Sequence, residues 1–140
     1  MEKLLSNLKV SNNNENLISL TLFGSYNTKH WFEGKSDIDI LALVKKNDFN
    51  SEFEIENRYR EVLQKYFNYD DIHFTFIGLN SFDTVFADIY IDFEDKIILD
   101  YESHYDFFMY INNFYRVKQI TEQERDNLLE LIDSAKDLEE

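Results

Sequence analysis

Two carboxylates, Asp37 and Asp39, flank Ile38 at the head of the apolar run Ile38-Asp39-Ile40-Leu41-Ala42-Leu43-Val44. Residues two apart in a strand point to the same face, so a strand here presents both carboxylates side by side while Ile38 and Ile40 turn into the core. Carboxylates held that close repel unless a cation lies between them. Paired hard oxygen ligands with open positions suit magnesium, which completes its shell with waters and phosphate oxygens. Upstream, Gly24-Ser25 ends a second apolar run, Leu17-Ile18-Ser19-Leu20-Thr21-Leu22-Phe23. Gly24 lets the backbone approach a ligand closely, and Ser25, expected at the N-terminus of a short helix, offers a hydroxyl and free N–H groups to a phosphate. Lys29, His30 and Lys35 add a local basic group between the two motifs. The chemistry implied is that of a metal and phosphate site.

The elements that position these residues follow from periodicity. Residues 17–23 and 38–44 read as strands of a central sheet, and Ile72-His73-Phe74-Thr75-Phe76-Ile77, ending at Gly78, as a third with Asp71, His73 and Thr75 on one face. Ile55, Tyr59, Val62, Leu63 and Tyr66 recur at helical spacing between residues 53 and 67. The polar run 11–16 reads as a loop between a short first helix and the first strand. Residues 81–93 fit a helix, through Phe82, Phe86, Ile89 and Tyr90, followed by a short strand from Lys96 to Leu99. From Tyr101 the spacing predicts an aromatic helix to about Val117. A second helix is expected to open at Thr121-Glu122-Gln123-Glu124, which has the form of a capping box, with Leu128, Leu131, Ile132, Ala135 and Leu138 as its apolar stripe. Strands and helices alternating in this way indicate a mixed α/β (α+β) domain, a small mixed sheet flanked by helices with a C-terminal helical extension.

Composition bounds the function. The 140 residues, 44% of them apolar, suit one domain with a real core, and thirteen Phe, nine Tyr and one Trp make that core aromatic. No cysteine is present, which excludes disulfides and thiolate metal sites. No apolar run suits a signal peptide or a membrane span, so the expected setting is the cytoplasm. A formal net charge of −14, from 28 acidic and 14 basic residues, repels a polyphosphate backbone and argues against a long nucleic acid as partner.

Strand, Gly-Ser, a short segment, Ser-Asp-Ile-Asp and a second strand together resemble the minimal nucleotidyltransferases of the DNA polymerase beta-like superfamily. Here eleven residues, 26–36, separate Ser25 from Asp37, one more than in the commonest minimal form, and Tyr26 stands where many members carry arginine. The resemblance covers about residues 17–100 as a catalytic unit, with the helices of about 101–138 added to it. It implies ATP as donor and two Mg2+ ions held by Asp37, Asp39 and a third carboxylate on a later strand, for which Asp71 is the choice and Asp70 the substitute. Gly24, Ser25, Lys35 and Ser36 would then line the nucleotide. His73, on the same strand face as Asp71, is a further candidate ligand or general base, whereas His104, among Tyr101, Tyr105 and Phe108, is expected to pack. Small stand-alone members of this kind resemble the antitoxins paired with HEPN ribonuclease toxins, some of which attach AMP to a tyrosine of the toxin. The alternatives are an adenylyltransferase acting on a cationic aminoglycoside, and a binding antitoxin without catalysis.

Overall fold

The computed structural model describes residues 3–12 and 14–139. A four-stranded sheet is built from β1 (Leu17–Phe23), β2 (Ile38–Val44), β3 (Ile72–Gly78) and β4 (Lys96–Ile98), in the order β3-β2-β1-β4. β1 pairs antiparallel with both β2 and β4, and β2 pairs parallel with β3. The parallel pair needs a crossover, supplied by helix α1 (Phe49–Phe67). Asp48 caps α1 by accepting a hydrogen bond from the Ser51 N–H at 3.3 Å, so the helix starts earlier than its apolar stripe suggests. At the other end Asn68 adopts a left-handed conformation, φ 52°, and stops it.

Alternation along the strands divides the core in two. Leu20, Leu22, Ile38, Ile40, Ala42 and Val44 face α1, whose Ile55, Tyr59, Leu63 and Phe67 close over them. Ile18, Leu41, Leu43 and Ile77 face the other way and are covered by Ala87 and Tyr90 of α2 (Val85–Asp92) and Phe107 and Ile111 of α3 (Tyr101–Glu139). An irregularity in β1 between Leu17 and Ser19 reverses the alternation there, so Leu17 joins Leu20 and Leu22 on the α1 side while Ile18 enters the opposite core.

Helix α3 corrects one expectation. The two helices anticipated after Tyr101 are a single helix of 39 residues, about 58 Å long at 1.5 Å per residue. Nothing between Val117 and Thr121 breaks it, since the segment lacks both glycine and proline. The Thr121 hydroxyl donates back to the Val117 carbonyl at 2.9 Å instead of capping a new helix. Asp100 provides the cap, accepting from the Ser103 N–H at 3.1 Å and the Ser103 hydroxyl at 2.9 Å. Among the described residues no helix is long and apolar enough to cross a membrane.

One polar cluster is buried under α3. The Tyr90 hydroxyl bridges Ser19 Oγ at 2.8 Å and His104 Nδ1 at 2.6 Å, and Lys96 lies over the Tyr90 ring, 3.9 Å from its centre. His104 therefore packs and takes part in an internal hydrogen-bond chain.

Candidate active site

β2 begins where β1 ends, and this antiparallel register sets Phe23 opposite Asp39. The chain leaves β1 through Gly24, at φ +79°, a left-handed backbone that a side-chain-bearing residue adopts only with strain. A Cβ on Gly24 would overlap Asp39 Oδ2 and lie 3.2 Å from Asp39 Cγ. The glycine turn and the second aspartate are therefore in direct apposition.

The aspartates themselves follow the strand rule. Ile38 and Ile40 are fully packed toward α1, so Asp37 and Asp39 emerge on the opposite face, that of Leu41 and Leu43. α2 and α3 cover that face around Ile18, Leu41, Leu43 and Ile77, and beyond Leu41 the strand end carrying the aspartates is open, with Asp37 exposed and Asp39 half-buried. Burial pushes the Asp39 carboxyl above the usual carboxylate range; His73 opposes the rise and the neighbouring Asp37 charge adds to it. Such a pair gains from a cation.

β3 brings two more groups to this end. The parallel register pairs Ile38 with Ile72 and Asp39 with His73, whose Nδ1 lies 3.6 Å from Asp39 Oδ1. Asp71, one residue before β3, accepts the Ile38 N–H on its carbonyl at 2.8 Å and so comes level with Asp37, exposed. Asp71 also lines an open cleft of about 670 Å³ with Glu33, Glu61, Lys65, Tyr69 and Asp70. Among the described residues no three His, Cys, Asp or Glu side chains converge closely enough, as they stand, to hold a metal ion. The chemistry of the pair nonetheless fits magnesium, which is commonly bound by one or two carboxylates together with substrate phosphates; Asp37 and Asp39 would supply those two.

The segment joining the two motifs is held by aromatic rings. The short helix expected at Ser25 does not form: residues 24–30 make turns, with Asn27 at φ +66° breaking any helical run. Ser25 contributes its carbonyl, which accepts the Thr28 N–H at 3.0 Å. Further on, Trp31 is packed between Tyr26 and Tyr69, its ring centre 5.0 Å from each, and donates its indole N–H to the Asp37 carbonyl at 3.2 Å. Tyr69 donates to the Ser36 carbonyl at 2.5 Å and accepts the Gly34 N–H at 2.9 Å. Ser36 Oγ accepts the Phe32 N–H at 3.0 Å, so this hydroxyl is engaged within the loop, while Lys29, His30 and Lys35 are exposed on it. Trp31 and Tyr69 position the aspartates, and sequence reasoning missed them because loop aromatics follow no periodicity. Tyr26 fills its position by packing on Trp31 and, at 5.2 Å between ring centres, on Phe67.

A family model described as polymerase beta, nucleotidyltransferase matches residues 7–92, through the end of α2 and including every residue of this site. The chain belongs to that family. Its members generally use a nucleoside triphosphate and Mg2+, and the chain is a transferase of nucleotidyl groups by this membership. β4 and α3 lie beyond the matched residues. No curated protein and no solved structure matches the chain.

Proposed function

We propose that the chain transfers AMP from ATP to a hydroxyl of a partner protein, a tyrosine of a HEPN ribonuclease toxin, and thereby acts as its antitoxin. The observation that carries the transferase reading is the apposition of Gly24 and Asp39 within a matched nucleotidyltransferase domain. Asp37 and Asp39 would hold the cation with the triphosphate, and the turn at Gly24 and Ser25 would lie against its phosphates. When bound, the metal supplies charge neutralisation at the α-phosphate and the leaving pyrophosphate. The acceptor oxygen forms its bond to the α-phosphorus as the bond to pyrophosphate breaks. Asp71, level with Asp37 and on the rim of the open cleft, is suited to orient the hydroxyl and take its proton.

The choice of a protein acceptor rests on charge. A net charge of −14 favours a basic partner surface, such as that of an RNA-binding toxin, and disfavours a nucleic acid primer. The cleft beside Asp71 supports a second reading, since Glu33, Glu61, Asp70 and Asp71 around it would equally attract a cationic aminoglycoside.

The test is incubation with α-labelled ATP and Mg2+ or Mn2+, with a HEPN toxin and the product of the adjacent reading frame as acceptors and, separately, with aminoglycosides. Label on a toxin tyrosine, lost in Asp37→Ala and Asp39→Ala, supports the first reading; label on the drug alone supports the second. A tight toxin complex with no transfer under either metal would reduce the protein to a binding antitoxin.

A further inference from the structure

We propose that His73 is a third ligand of this site, joining Asp37 and Asp39 on one cation, and that its nitrogen shifts the preference of the site from Mg2+ toward Mn2+. The inference rests on the reading of Asp37 and Asp39 as the metal pair, and it assigns the neighbour that the family comparison leaves unassigned.

Register is the main argument. Parallel pairing sets His73 directly beside Asp39, on the open face, and Nδ1 is 3.6 Å from Asp39 Oδ1. Two cis ligands at octahedral distances of 2.0–2.1 Å are separated by about 3 Å, so a small turn of one side chain suffices to bring both onto one ion. The His73 side chain is 62% exposed and free to make that turn. Asp37, on the same face and exposed, has the same freedom. Asp71 is a weaker candidate for this coordination position: it precedes β3, is level with Asp37 instead of Asp39, and borders the acidic cleft.

Chemistry then sets the preference. Magnesium takes oxygen ligands almost exclusively; Mn2+ shares its liking for carboxylates but, as a first-row transition metal, tolerates one imidazole nitrogen among them better than magnesium does. Two carboxylates and one imidazole, with positions left for phosphate oxygens, form such a set.

The experiment is electron paramagnetic resonance of Mn2+ bound to the whole chain with a non-hydrolysable ATP analogue, resolving nitrogen coupling by spin-echo modulation. The expected result is bound Mn2+ with an imidazole nitrogen signal that disappears in His73→Asp while Mn2+ stays bound. That variant should also lower the ratio of Mn2+ to Mg2+ affinity, read by competition. Bound Mn2+ without nitrogen coupling, or coupling that persists in His73→Asp, would overturn the assignment of His73 and leave the aspartate pair intact. Failure of the wild-type protein to bind Mn2+ with the nucleotide would overturn the reading of the pair itself. Circular dichroism of His73→Asp verifies that the exposed substitution leaves the fold unchanged.

Discussion

Gly24 and Asp39 are in van der Waals contact through a gap that admits no side chain: the Asp39 carboxylate occupies the space a Gly24 Cβ would need. The contact joins the end of β1 to the start of β2 and, on the proposed reading, would present the turn to the phosphates and the carboxylate to the metal of one ligand. Gly24→Ala must both displace Asp39 and hold alanine at φ +79°. The strain costs about 1–3 kcal/mol, measurable by urea denaturation. Nucleotidyl transfer should fall about 100-fold or more, as it does where a preorganised charge-stabilising group is lost.

Trp31 is the single tryptophan of the chain and bonds the carbonyl of Asp37, one of the two proposed metal ligands. Its fluorescence should therefore change when metal and ATP bind together. Trp31→Phe keeps the packing between Tyr26 and Tyr69 but removes the hydrogen bond, a net loss of about 0.5–1.5 kcal/mol. The expected outcome is a KM for ATP raised about 2- to 10-fold with kcat nearly unchanged.

His104 gives the fold an acid limit. Burial, and secondarily the Lys96 charge, hold its imidazole below the ordinary value of 6.5. In the unfolded chain the group takes up a proton near 6.5, and in the folded protein only at lower pH. The unfolded state thus binds more protons between these values, and stability is lost as pH falls through that window. Urea midpoints should decrease from pH 7 toward pH 5. His104→Phe, which leaves Tyr90 bonded to Ser19, should flatten that part of the profile.

Among the described residues, the apolar side chains of distal α3 contribute little to the folded domain. Val117, Leu128, Leu129, Leu131 and Ile132 are each more than 40% exposed. Removal of residues 119–140 should leave cooperative unfolding and a stability within about 1 kcal/mol of the whole chain. If the antitoxin reading holds, the same truncation tests whether this helix reaches the partner, by comparing complex formation in pull-down with the toxin.

Local pattern was enough to reveal much of this protein. Strict alternation around Asp37 and Asp39 fixed which face the carboxylates share, because a buried Ile38 and Ile40 leave them no other choice. α1 and β3 were readable for the same reason, since each buries one periodic face, and β1 and β2 as short apolar runs that the domain buries on both sides. The helix expected at Ser25 and the break expected at Thr121 failed where local signals competed with backbone geometry. A left-handed Asn27 turned the chain in the first case, and in the second uninterrupted helix formers carried α3 through a capping-box sequence.

The sequence by itself determined the carboxylate pair, the glycine that precedes it and the chemical class of the site, all of which depend on residues near one another in the chain. Only the tertiary structure decided what stands beside them. Parallel pairing of β2 with β3 set His73 next to Asp39 and Asp71 level with Asp37, and the packing of Trp31 on Tyr26 and Tyr69 tied down the connecting loop. A shift of one residue in that register would exchange the faces of every β3 side chain, and register is fixed by the burial of Ile72 and Phe74 against α1.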